Sequence, residues 1–147
     1  MGRVAVRGVA GVALGMACLA CLACARAGKH EASSLMDAVD RFRRAENADK
    51  PARALVVAAV ECSAADVCDA KRVCLGAIDP TARALTLKIE VELRLADIQR
   101  GALDPHSPEA SALPGKLDEA QKLLEDGRTK MPECERRLTD LMIEYGG

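Results

Sequence analysis

Between Thr81 and Ile98 the apolar residues stand at every second position: Leu85, Leu87, Ile89, Val91, Leu93 and Leu95. Alternation of this kind reads as a strand. The run continues without a breaker from Pro80 to Gly101, far beyond the length of a usual strand, and Leu, Glu, Lys and Arg are helix formers. Wound as a helix, Leu85, Ile89, Leu93 and Ala96 share one face, and Leu87, Val91, Leu95 and Ile98 share a second. Lys88 with Glu92 and Glu90 with Arg94 then fall in the seams as i,i+4 ion pairs. The pattern predicts a helix with neighbours on both sides, the centre of a bundle.

The rest of the chain follows the helical period. Ser34-Leu35-Met36-Asp37 has capping-box spacing and predicts a helix start at Ser33 or Ser34, with Leu35, Val39 and Phe42 inward. Asn47 to Pro51 ends that helix, and an Ala-rich one follows from about Lys50 to Glu61. Ser63-Ala64-Ala65-Asp66 repeats the box spacing and opens a helix to Ile78, while Asp79-Pro80 reads as a cap followed by proline at the first helical position. Asp104-Pro105-His106-Ser107-Pro108 is a loop. A helix then restarts at Pro114-Gly115 and runs to Lys130, and Pro132 opens a last one with Cys134, Leu138, Leu141, Met142 and Tyr145 turned inward. The expected fold is all-α, a single bundle of about six helices.

Residues 1–25 stand outside this scheme. Arg3 and Arg7 precede an apolar run from Gly8 to Ala25 that ends in small residues, the layout of an export signal; residues 26–32 form a polar tether, and 33–147 the single helical domain. Ala23-Cys24-Ala25 and Ala25-Arg26-Ala27 both fit a signal-peptidase site. Cys21-Leu22-Ala23-Cys24 resembles the lipobox of bacterial lipoproteins, with Cys where the pattern has Leu. That resemblance implies acylation at Cys24 and a lipid anchor in a membrane, whereas the other two endings imply simple secretion. Either way the destination is the periplasm or cell envelope.

Composition narrows the function classes. The chain is half hydrophobic, yet Phe42 and Tyr145 are its only aromatic residues, so the core is built of Ala, Leu, Val, Ile and Met. Of the 21 basic residues two lie in the leader, leaving 19 against 22 acidic ones. Charges of both signs are interspersed, without the basic face or aromatic platforms of a nucleic-acid binder. Cleavage at or after Cys24 leaves Cys62, Cys68, Cys74 and Cys134 as an even set beside at most one acylated cysteine, and in an oxidising compartment such a set forms two disulfides. Cys62 precedes a helix cap and Cys68 lies in the second turn behind it, which favours a local bridge and leaves Cys74 for Cys134.

Other chemistry is not carried by motif. Zinc sites pair ligands two to four residues apart across tight loops, and the five-residue gaps between Cys62, Cys68 and Cys74 do not. A dithiol oxidoreductase is expected to show Cys-x-x-Cys beside a βαβ unit, and the chain has neither. His30 and His106 stand alone in loops. Glu90, Glu92, Asp118 and Glu119 are carboxylates on charged helix surfaces rather than an acid-base pair, and no cofactor motif occurs. Gly115-Lys116-Leu117-Asp118-Glu119-Ala120, with Leu124 and Pro132, resembles the second helix of a tetratricopeptide repeat, and that resemblance implies a protein-binding groove. The expectation is an exported, non-catalytic structural or protein-binding component of the bacterial envelope that meets a protein partner through a helix face. The alternatives are a tetratricopeptide-like module and a periplasmic enzyme or thiol redox protein.

Overall fold

The computed structural model describes the backbone of residues 14–146 and the side chains of residues 27–146. The candidate cut sites and the Cys24 side chain lie outside the described residues. The described chain is all helical: α1 (Leu14–Arg44), α2 (Lys50–Ala59), α3 (Ala65–Gln99), the single turn α4 (Pro108–Ser111) and α5 (Leu113–Tyr145).

There are thus four helices of ten or more residues and one short turn, not about six. The difference lies at two prolines, because Pro80 is inside α3 and Pro132 inside α5. A proline in a helix interior loses one backbone hydrogen bond and crowds the carbonyl four residues back, at a cost of about 3 kcal/mol. At Pro80 that carbonyl belongs to Gly76, which is exposed, and one residue on the Thr81 hydroxyl donates to the Ala77 carbonyl at 3.0 Å. Both prolines sit close to the bridge between Cys74 and Cys134, so tertiary packing outweighs the local signal. Asp79 therefore caps nothing. The start expected at Ser33 or Ser34 is also absent, and the stretch read as a tether continues α1, with Gly28 and Ala32 buried.

α3 and α5 lie antiparallel in one register along their whole length. Arg137 meets Asp69, Cys74 meets Cys134, Arg83 meets Glu119, and Glu90 meets Lys116. Leu113, Ala120, Gly127, Cys134 and Leu141 are the buried residues of α5, each seven after the last, the repeat of a helix that keeps one seam against a partner. Opposite them α3 buries Ala70, Ala77, Ala84 and Val91 at the same interval. The small residues bring the two backbones close: a Cβ on Gly127 would stand 2.8 Å from the Ala77 carbonyl oxygen and would collide with Thr81.

α1 and α2 cover one end of this pair. α2 runs back antiparallel to α3, and α1 runs antiparallel to α5, with Gly28 under the Tyr145 ring and Arg43 paired to Glu135 at 2.9 Å. At their turn Lys50 lies over the Phe42 ring, 5.8 Å from its centre. The core joins Leu35, Val39 and Phe42 to Val57, Val67, Ile78 and Leu141, and on α3 it ends at Ala82. Beyond that point α3 and α5 continue as a two-helix arm of about 25 Å, at 1.5 Å per residue. The arm turns through Gly101, whose φ of 73° closes the end of α3. There the amides of Gly101 and Ala102 return to the carbonyls of Ile98 and Asp97 at 3.0 and 2.9 Å, an arrangement that satisfies a helix end and favours glycine. The Ser107 hydroxyl accepts from the Ala110 amide at 3.2 Å and caps α4.

Candidate functional site

The link from α2 to α3 is where the base of the molecule is fastened. Ser63 does not cap α3: Ala64 holds the cap position, without a side-chain bond. The acceptor comes instead from α1. Glu31 takes the Ser63 amide at 2.8 Å, the Ser63 hydroxyl at 2.6 Å and the Ala64 amide at 3.1 Å. These bonds hold its carboxyl below the usual range, first through the Ser63 side chain and then through the two backbone amides. A carboxylate also suits the positive end of a helix. On the other side of the link, Lys71 Nζ donates to the Val60 carbonyl at 2.7 Å and closes the end of α2.

Two bridges fix the same region. Cys62 and Cys68 are joined with their Cα atoms 5.4 Å apart, and Cys74 and Cys134 with theirs 4.5 Å apart. The first is half-buried and pins the corner of the link, while the second is fully buried between α3 and α5. Tyr145, at the end of α5, faces Asp66 in the first turn of α3. The Asp66 carboxylate, with burial, pushes the tyrosine pKa up to about 12. One Asp66 oxygen, Oδ2, is buried without a hydrogen-bond partner.

The residues weighed for acid-base work are not brought together. Glu90 is engaged by Lys116, its carboxyl lowered chiefly by that hydrogen bond, and Glu119 stands 3.7 Å from Arg83. Lys88 and Glu92 do not form the expected ion pair, and Arg94 turns to Asp97 on its own helix and to Glu109 on α4 rather than to Glu90, which Lys116 engages. His30 is exposed beside a cavity of about 450 Å³ lined also by Ala27, Glu31, Ser34, Val60 and Glu61. His106 is exposed at the arm tip, its amide bonded to Asp104 at 2.9 Å. Among the described residues no three His, Cys, Asp or Glu side chains converge as metal ligands, and no helix is long and apolar enough to cross a membrane.

The arm departs from the central helix that the sequence predicts. Val91 is buried, but Leu93 is 62% exposed and Leu95 45% exposed, and on α5 Leu117 is 43% exposed. The second set of neighbours expected along α3 is supplied by α2 only as far as Thr86. Residues 115–132, the stretch resembling a repeat helix, lie wholly inside α5, preceded by the arm loop and the single turn α4. No family model, curated protein or solved structure matches the chain.

Proposed function

We propose that this chain is an exported, non-catalytic component of the bacterial cell envelope that binds a protein partner along the α3–α5 arm. One observation carries the reading: the face of α3 and α5 that α1 covers at the base continues along the arm uncovered, with Leu95 and Leu117 exposed. An amphipathic helix laid into such a groove is a common mode of recognition. The base, with both bridges and the Glu31 clasp, supplies rigidity, and disulfides belong to oxidising compartments. α1 and α3 both run antiparallel to α5, so a chain held at its N-terminus, by a lipid on Cys24 or by its leader, directs the arm tip away from the membrane.

Two measurements test this. The intact mass of the chain from native envelopes, before and after reduction, is expected to begin at or near Cys24 and to gain two hydrogens for each bridge. A photo-crosslinking residue at Leu117 is expected to give a discrete protein adduct in intact envelopes, while one at Arg72 on the base gives none. Adducts at both positions, or at neither, count against the arm, and thiols that label without reductant return the redox alternative.

A further inference from the structure

The stretch that reads as a tether in the sequence does not act as one in the fold. Loose chain over residues 26–32 would reach about 25 Å when extended, enough to let the base drift free of whatever holds the leader. Instead α1 is unbroken from Leu14 to Arg44 and is fixed to the base from Gly28 onward. Gly28 lies under the Tyr145 ring, Glu31 holds the link before α3, and Ala32 is buried. The apolar run that ends at Ala25 thus stops three residues before Gly28. Cys24, the candidate acylation site, is about 6 Å from Gly28 at 1.5 Å per residue. The headgroup layer on each side of a bilayer is about 5–8 Å deep. A chain held at either point has no slack with which to stand clear of the membrane.

The end of the molecule that this brings to the lipid is set by three contacts. Gly28 meets Tyr145, Tyr145 faces Asp66, and Glu31 reaches Ser63 and Ala64. The link, the start of α3 and the last turn of α5 therefore lie at one level. That last turn carries Ile143, 75% exposed, and Met142, 56% exposed, with the half-buried Tyr145 beside them. Lys29 stands at this end against Glu61 and Glu144, all exposed, so no basic surplus draws it to anionic headgroups.

We infer that the base stands end-on in the phospholipid headgroup layer, with Ile143 and Met142 entering the lipid and Tyr145 at the boundary. This seating presupposes the anchored envelope chain proposed above and adds the surface on which it stands. Interfacial segments sink their apolar side chains about 5–10 Å into the headgroup and acyl boundary, and Met142 is within about 5 Å of Tyr145 along the helix axis. Tyrosine, apolar in its ring and polar at its tip, gathers at that depth. Leu93, 28 residues beyond Ala65 on α3, stands about 42 Å further out, clear of the lipid.

The chain holds no Trp, so one introduced indole reports its own position. The full chain with its bridges intact, purified from native envelopes, is reconstituted into phosphatidylethanolamine–phosphatidylglycerol vesicles, with or without acyl-chain-brominated lipid as a contact quencher. Ile143→Trp is expected to float with the vesicles and to lose severalfold more of its emission to the brominated lipid than Leu93→Trp does. Both positions are exposed, so the circular dichroism spectra are expected to match the parent. Quenching is expected to persist at about 1 M salt, where charge attraction is screened beyond about 3 Å. A chain that floats while the indole of Ile143→Trp is unquenched overturns the seating and leaves the anchor standing. Equal quenching at both positions means a molecule lying flat, and quenching lost in salt means one held by charge; either overturns the end-on apolar contact. A chain that stays out of the floating fraction overturns the anchored reading and the seating with it.

Discussion

Glu31 is the residue whose work is least visible from its neighbours in sequence. Its carboxylate takes three hydrogen bonds from the start of α3, and its pKa is lowered from the ordinary 4.5. A carboxyl with a lowered folded pKa contributes stability that is present above the unfolded value and lost as the pH falls through the folded one. Glu31→Gln is therefore expected to lower the melting temperature at neutral pH and to flatten its fall on the acid side of 4.5, read from thermal melts across pH. Tyr145 shows the opposite sign. Its folded pKa of about 12 stands above the ordinary 10.0, so its contribution is whole below 10 and disappears as the pH rises through 12. Tyr145→Phe is expected to remove that alkaline step from the pH dependence of stability.

Gly127 acts through a missing atom. A Cβ there meets the Ala77 carbonyl oxygen, which is backbone and cannot rotate away, so Gly127→Ala is expected to cost about 1–3 kcal/mol as overpacking. Denaturant melts measure it, and Thr81→Ala in the same chain is expected to restore only part.

At the scale of the elements, the two bridges are expected to differ in worth. Cys62–Cys68 spans six residues and Cys74–Cys134 sixty. Loop-closure entropy gives about 2 kcal/mol for the first and about 4 kcal/mol for the second. Paired Cys→Ala replacements compared by chemical denaturation check the order, and graded reductant is expected to open the half-buried corner bridge before the buried one. The helices themselves were legible: α2 begins where Lys50 was placed, α3 ends at the Gly101 signal, and Leu35, Val39, Phe42, Cys134 and Leu141 are buried. What local reading misjudged were stops and starts. Pro80 and Pro132 carry strong break signals that a long partner helix overrides. Ser63 and Ser34 have cap spacing, but the first gives its hydrogen bond to a residue 32 positions away and the second lies inside a continuing helix. No window of neighbouring residues contains Glu31's role. Leu93 is the reverse case, since its period asks for burial and no further helix among the described residues provides it.

For the molecule as a whole, the consistent pairing of α3 with α5 separates two properties that most small bundles tie together. The fastenings, namely both disulfides, the Glu31 clasp and the Tyr145–Asp66 contact, all involve residues before Pro80 or after Met131. Between them, along α3 and α5, the seam residues repeat every seven. The arm is in effect a ruler with an arbitrary number of marks. Removing residues 86–92 together with 114–120 takes one repeat from each helix at matched positions and brings the tip inward by about 10 Å at 1.5 Å per residue, with the fastenings in the same register as before. Reach is then a quantity that evolution, or an experimenter, can adjust without reopening the question of how the base folds.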